Sequence, residues 1–264
     1  MILEKELFCL GHLANFQTGL NEVVFQGRRL LICKETGLGF NLVESLVPNP
    51  WRLQCLQNVL WLHHRETDPK IPSLDFQEVT AHMEILYPAP FRFVMENLYD
   101  LNHVPGTHSK SLAANSSRLK NFRSFENRCT FEFATALTQD DSTEITERTR
   151  PVTIYFPGFF ASHSQGPVAE RDLPQFMKSD LPGRTYISIY PVTDTDTAMV
   201  IFTQTGIPAW IFGLVRTLRP NVGQDIVAED RNILTNLTSD YTRKIRLSAD
   251  QPVDFARRLY AERA

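Results

Sequence analysis

The chain has 264 residues, 42% of them hydrophobic, and a net charge of −3 with its basic residues scattered. That is enough apolar material for one large or two small domains, and the dispersed charge excludes a nucleic-acid surface. No run reaches membrane-span length, because Ile207 to Val215 is too short and is broken by Pro208.

The start, Met1 to Glu6, carries charges in place of a signal-peptide pattern, so the expectation is a soluble cytoplasmic protein. From Leu7 to about Pro72 the pattern is one of short strands and turns. Candidate strands are Leu7 to Leu10, Glu22 to Phe25, Arg29 to Cys33 and Val59 to His63, divided by Gly19, Gly27, Gly37 and the corner from Pro48 to Trp51. Cys9, Cys33, Cys55 and Cys129 are widely spaced and read as reduced core thiols. His63 and His64 read as a solvated strand end. Glu66 to Leu74, rich in Asp, Pro and Ser, reads as a linker, which divides the chain into residues 1–74 and 75–264.

The second part opens with Phe76 to Met83 and an apolar lead-in, Phe91, Phe93, Val94 and Met95, before a crowded polar stretch from Glu96 to His108. At roughly 100° per residue, Glu96, Asn97, Asp100 and His103 share one helical face. Pro105 disfavours helical geometry at Val104, so the helix is expected to stop near His103 and the chain to swing His108 back beside it. Polar, serine-rich residues from His108 to Phe122 read as a loop beside that site.

Strands follow at Cys129 to Leu137, Thr143 to Phe160 and Thr185 to Thr203, the last divided into a hairpin at Asp194 to Thr197. Phe156, Phe160, Trp210 and Phe202 belong to an aromatic set, mostly core, from which candidates for a substrate pocket are drawn. Asp225 to Leu237 reads as an amphipathic helix with Ile226, Val227, Ile233, Leu234 and Leu237 on its stripe and Asp230 in the middle of it. A buried carboxylate is costly unless it is paired or bound to a metal. A terminal helix from Val253 to Arg263 completes an α+β chain of antiparallel strands wrapped around a helix, a helix-grip arrangement.

Two imidazoles, His103 and His108, and one carboxylate, Asp230, make a facial triad of the kind that holds iron or zinc with open positions. The residues also leave a plainer reading open: a core helix capped by imidazoles, with Asp230 paired to Arg231 or Arg243.

The order Asn97, Asp100, His103, His108, followed far along the chain by Glu229 and Asp230 opening a helix, resembles the catalytic domain of Rieske-type ring-hydroxylating oxygenase α subunits. The resemblance implies a helix-grip fold and a mononuclear Fe(II) held by His103, His108 and Asp230. It implies that Asn97 lies near the iron, that Glu229 precedes the third ligand, and that Asp100 links the iron to a histidine of a neighbouring Rieske cluster. The activity implied is hydroxylation, dihydroxylation or dealkylation of an apolar or aromatic small molecule with O2.

A Rieske cluster needs Cys-x-His and Cys-x-x-His pairs. Only Cys9 to His12 matches either half, and no Cys-x-His occurs, so no [2Fe–2S] cluster is expected in this chain. The small domain, residues 1–74, resembles a Rieske domain shorn of its cluster loops. Keeping Asp100 without cluster ligands implies electrons from a separate Rieske or ferredoxin-type partner, fed by NAD(P)H through a reductase, as in split oxygenases and N-demethylases. Two other classes stand beside this one: a helix-grip ligand carrier without catalysis, and a zinc hydrolase using the same triad.

Overall fold

The structure, a computed structural model, describes residues 3, 6–35, 40–42, 50–72, 81–107, 114–138, 145–165, 182–204, 224–234 and 248–263. It is α+β, with antiparallel sheets and short helices. Two three-stranded sheets come first. One has the order β1 (Phe8–His12), β6 (Val59–His64), β5 (Trp51–Leu56); the other has the order β2 (Gly19–Phe25), β3 (Arg28–Lys34), β4 (Phe40–Leu42). Aromatic side chains join them: the Phe25 ring meets Phe8 at 4.9 Å and Trp51 at 4.8 Å, both edge-on.

A seven-stranded antiparallel sheet follows, built from β7 (Ala81–Tyr87), β8 (Ala114–Ser124), β9 (Arg128–Thr138), β10 (Ile145–Tyr155), β11 (Phe159–Gln165), β12 (Pro182–Pro191) and β13 (Thr197–Gln204). Its order is β7-β13-β12-β11-β10-β9-β8, so β8 to β13 form a meander and β7 pairs with the last strand. Four helices accompany the strands among the described residues: α1 (Phe91–Tyr99), α2 (His103–Thr107), α3 (Gln224–Leu234) and α4 (Gln251–Arg263). None is long and apolar enough to cross a membrane.

Strand period assigns the two faces of this sheet. Tyr186, Ser188, Val200 and Phe202 share one face, which packs on the small sheets: Ser188 Oγ donates to Cys9 O at 2.7 Å, and Phe159 meets Trp61 at 5.0 Å. The neighbouring turn is locked the same way, with Gln26 N donating to Pro191 O at 2.9 Å and Gly27 N to Val192 O at 2.6 Å. On the opposite face Ile154, Phe160, Ile187, Ile201 and Met83 are register partners in one row, and Tyr87 lies further along the same side of β7.

Three expectations are corrected. Residues 114–124 form an eleven-residue strand, not a loop. As the last strand of its sheet, β8 leaves Arg118, Lys120 and Arg123 exposed, which gives it a loop-like composition. The span from Thr143 to Phe160 is two strands, because the chain turns between Tyr155 and Phe159. His63 is 2% exposed, not solvated, and its Nδ1 lies 2.9 Å from His64 O. All four cysteines are free thiols, Cys9 and Cys129 buried. Cys9 and His12 both lie on β1, where burial pushes the Cys9 thiol up to about 12.

Candidate metal centre

Helix α1 begins directly after Pro90 and buries Phe91, Val94, Met95, Leu98 and Tyr99. It ends earlier than its polar stripe suggests. Asp100 is extended, with φ −83° and ψ 98°, and its N–H donates back to Asn97 O at 3.1 Å. His103 therefore does not end α1 but opens the short helix α2, whose first turn tolerates Pro105.

The joint between these helices is held by side chains. Asp100 Oδ1 accepts from Asn102 N at 2.9 Å, and Asn102 Nδ2 donates to Asp250 Oδ1 at 2.7 Å. Asp250, 2% exposed, sits just before α4, so the bend is fastened to the far end of the chain. His103 Nδ1 hydrogen-bonds to Asp100 O. A carbonyl oxygen only accepts, so Nδ1 carries a proton and Nε2 is the nitrogen left for another partner.

His103 Nε2 lies 3.9 Å from Asp230 Oδ1, and Asn97 Nδ2 donates to the same oxygen at 3.3 Å. Asp230 is 7% exposed. Tyr87, 1% exposed, has its phenol pushed well above the usual range by burial and then by the charge of Asp230. Arg231, which the sequence offers as another partner for Asp230, sends Nη2 to Leu86 O at 3.1 Å.

The donor set fits a cation. Two donors each about 2.1 Å from one ion lie about 3.0 to 3.4 Å apart at octahedral or tetrahedral angles; His103 Nε2 and Asp230 Oδ1, at 3.9 Å, would close by about half an ångström to share one. A histidine whose other nitrogen is fixed by a backbone carbonyl is also the usual form of a metal ligand. Among the described residues no cluster of three ligating side chains is assembled. His108 and Trp210 lie outside the described residues, as does Arg243.

The remaining candidates separate. Glu96 does not share the site with Asn97: it accepts from Arg92 Nε at 3.0 Å and from Arg257 Nε at 2.9 Å, on the side of α4. The Asp100 carboxylate serves the joint. Glu229 is half-buried next to Asp230. Phe160 lies on the sheet face shared by Tyr87, whereas Phe202 is on the other face, stacked on Tyr186 at 5.3 Å. Phe156 sits in the turn after β10 with the Arg263 guanidinium 5.3 Å from its ring centre. Tyr87 was not among the residues singled out from sequence. Its signal was slight: the last apolar position of a strand that runs straight into the site's helix.

No protein-family profile matches the chain, and no curated protein does. Solved structures do match over nearly its whole length. Dicamba monooxygenase bound to 3,6-dichlorosalicylic acid aligns with a TM-score of 0.73 at 9% identity, covering 98% of this chain and 97% of that one. NdmA of Pseudomonas putida CBB5 with caffeine aligns at 0.62 and 13% identity, covering 97% and 89%. The reduced oxygenase–ferredoxin complex of carbazole 1,9a-dioxygenase aligns at 0.62 and 10%, covering 97% and 87%. These structural neighbours are Rieske-type oxygenases, and at such identities the likeness is one of fold.

Proposed function

We propose, starting from a chain with the fold of the Rieske-type oxygenases, that this protein is the catalytic subunit of a non-haem Fe(II) oxygenase. It would hydroxylate or oxidatively dealkylate an apolar or aromatic small molecule. The observation that carries the reading is the meeting of His103 Nε2 and Asp230 Oδ1 at 3.9 Å with Asn97 donating to the same carboxylate. His103, His108 and Asp230 would hold the iron, which supplies the binding and activation of dioxygen.

The chain's own residues do the rest. Asp100 O keeps the His103 tautomer, Asn97 orients the Asp230 carboxylate, and the row of Phe160, Ile187, Ile201 and Met83 offers an apolar surface for the substrate. In this reading residues 75–264 are a helix-grip catalytic domain and residues 1–74 a Rieske-like domain without a cluster. Electrons come from a separate Rieske or ferredoxin-type protein, with Asp100 on the path, and ultimately from NAD(P)H through a reductase. The ferredoxin seen with the oxygenase of carbazole 1,9a-dioxygenase supports a separate donor. The compartment in this reading is the cytoplasm.

The test is the metal and acid-labile sulfide content of the protein after anaerobic loading with Fe(II), with His103→Ala and Asp230→Ala alongside. One iron per chain, no sulfide, and loss of iron in both variants is the expected result. Failure of the native protein to hold iron would overturn the reading in favour of a ligand carrier; preferential retention of zinc would move it to hydrolysis.

A further inference from the structure

One row beyond the apolar row of the large sheet, the register brings three hydroxyls side by side. Ser162 on β11 is the partner of Thr185 on β12, and Thr185 is the partner of Thr203 on β13. Residues two positions apart on a strand share a face, so these three stand on the face of Phe160, Ile187 and Ile201, about 7 Å farther along the strands. The helix carrying Asp230 touches the sheet on the other side of the apolar row. Arg231 Nη2 donates to Leu86 O at 3.1 Å, and from Leu86 strand β7 runs back through Met83, in the apolar row, to Ala81, the partner of Thr203. Along the sheet the order is therefore acid-bearing helix, apolar row, hydroxyl row.

The hydroxyls are costly where they stand. Ser162 is 7% exposed, and Thr203 Oγ1 is shut off from solvent with no hydrogen-bond partner among the described residues. Ser162 and Thr185 make no side-chain hydrogen bond there either, although Thr and Ser paired across strands commonly bond one another. A hydroxyl buried without a partner destabilises the chain, whereas an apolar group of the same shape does not.

We propose that this row is a subsite for the polar end of the substrate, a neutral hydroxyl or carbonyl oxygen carried on an aromatic body. Ser162 and Thr185 bond that oxygen while the rings lie on Phe160, Ile187 and Ile201, and one χ1 step brings the Thr203 hydroxyl to it. The proposal rests on the oxygenase reading and deepens it: the substrate lies with its polar end away from Asp230 and its apolar end toward the metal centre. An ionised carboxylate suits the row poorly, because a buried charge needs a cation of its own. Arg150, on β10 one row farther along this face, already has a partner.

The experiment is fluorescence titration of the full chain with 2-naphthol, 2-methylnaphthalene and 2-naphthoate. It is run on the native protein, on Thr203→Val and on the double variant Ser162→Ala/Thr185→Val, with urea unfolding to report each fold. Expected in the native protein is binding of 2-naphthol about 10-fold tighter than 2-methylnaphthalene, with 2-naphthoate weakest. That preference falls to about onefold in the double variant and in part in Thr203→Val, which is at least as stable as the native protein. Equal affinity for naphthol and methylnaphthalene in the native protein overturns the proposal, as does a preference that survives in the folded double variant. Tightest binding of naphthoate, or binding of none of the three, also overturns it. Iron content separates the two readings: a hydroxyl-dependent preference in a native protein that holds no iron keeps the subsite and overturns the oxygenase.

Discussion

Asn97 and Asp230 lie 133 positions apart and meet through one hydrogen bond of 3.3 Å, while Glu96, the residue before Asn97, turns the other way to Arg257. Adjacent residues of one helix thus serve different parts of the molecule, and their substitutions are expected to diverge. In the proposed metal centre Asn97→Ala is expected to lower metal affinity by about 10-fold with the fold intact. Glu96→Gln leaves metal affinity unchanged and lowers stability by about 1–2 kcal/mol through the weakened arginine contacts. Metal titration and urea unfolding of both variants check this, and a metal defect in Glu96→Gln would contradict it.

The joint between α1 and α2 depends on Asp250. Asp250→Ala leaves the Asn102 amide without its acceptor in a buried place and is expected to cost about 1–3 kcal/mol. Asp250→Asn keeps an oxygen that can accept and loses less. Chemical denaturation ranks the two; equal losses would show that the acceptor is not what matters.

His12 gives a pH dependence. Burial, with the nearby His82 and Lys34 charges, pushes its imidazole down to about 4. The folded protein keeps His12 neutral while the unfolded chain takes up a proton below about 6.5. Stability from this group is whole above that pH and is lost as pH falls from 6.5 toward 4. Discounted for partial solvent screening, the loss is about 2 kcal/mol. Urea unfolding at neutral pH and at the acid end of the window measures it. His12→Gln loses less over the same interval, and a parallel loss in the variant would refute the assignment.

Gly158 is a packing requirement. A Cβ there would lie 2.1 Å from Ile189 Cγ1 and 2.7 Å from Cδ1, and Ile189 is 1% exposed. Gly158→Ala is expected to cost about 1–3 kcal/mol. The same change made in an Ile189→Ala background costs less, because the obstructing atoms are gone. Thermal unfolding of the four proteins in that cycle decides it; strict additivity would mean the clash is not the cause.

What could be read from the residues differs from element to element. Asp230 stood out because an acid in the middle of an apolar stripe has few uses, and it is buried in the structure. The hairpin of β12 and β13 was legible from a hydrophilic turn between alternating apolar runs, and the α+β class from the strands themselves. The early end of α1 was not, because the joint is also held by Asn102 reaching Asp250, a contact with no trace in the local residues. Strand β8 was lost for a similar reason: solvation of an edge strand and solvation of a loop select the same residues. Separating Phe160 from Phe202 required the register of β11 to β13, since a shift by one residue exchanges the faces.

The 133-residue gap between Asn97 and Asp230 also bears on when the centre comes into being. Strands β8 to β13 lie in sequence between the histidine-bearing stretch and the helix that brings the acid, so in the proposed centre a cation would find its donors together only once the large sheet has brought them there. On the proposed reading the ion would arrive at a finished body instead of serving as the nucleus of folding, unlike a zinc finger, whose chain has no fold without metal. A chelator is accordingly expected to strip the centre while the sheets stand, and reloading to be a matter of mass action on a folded protein.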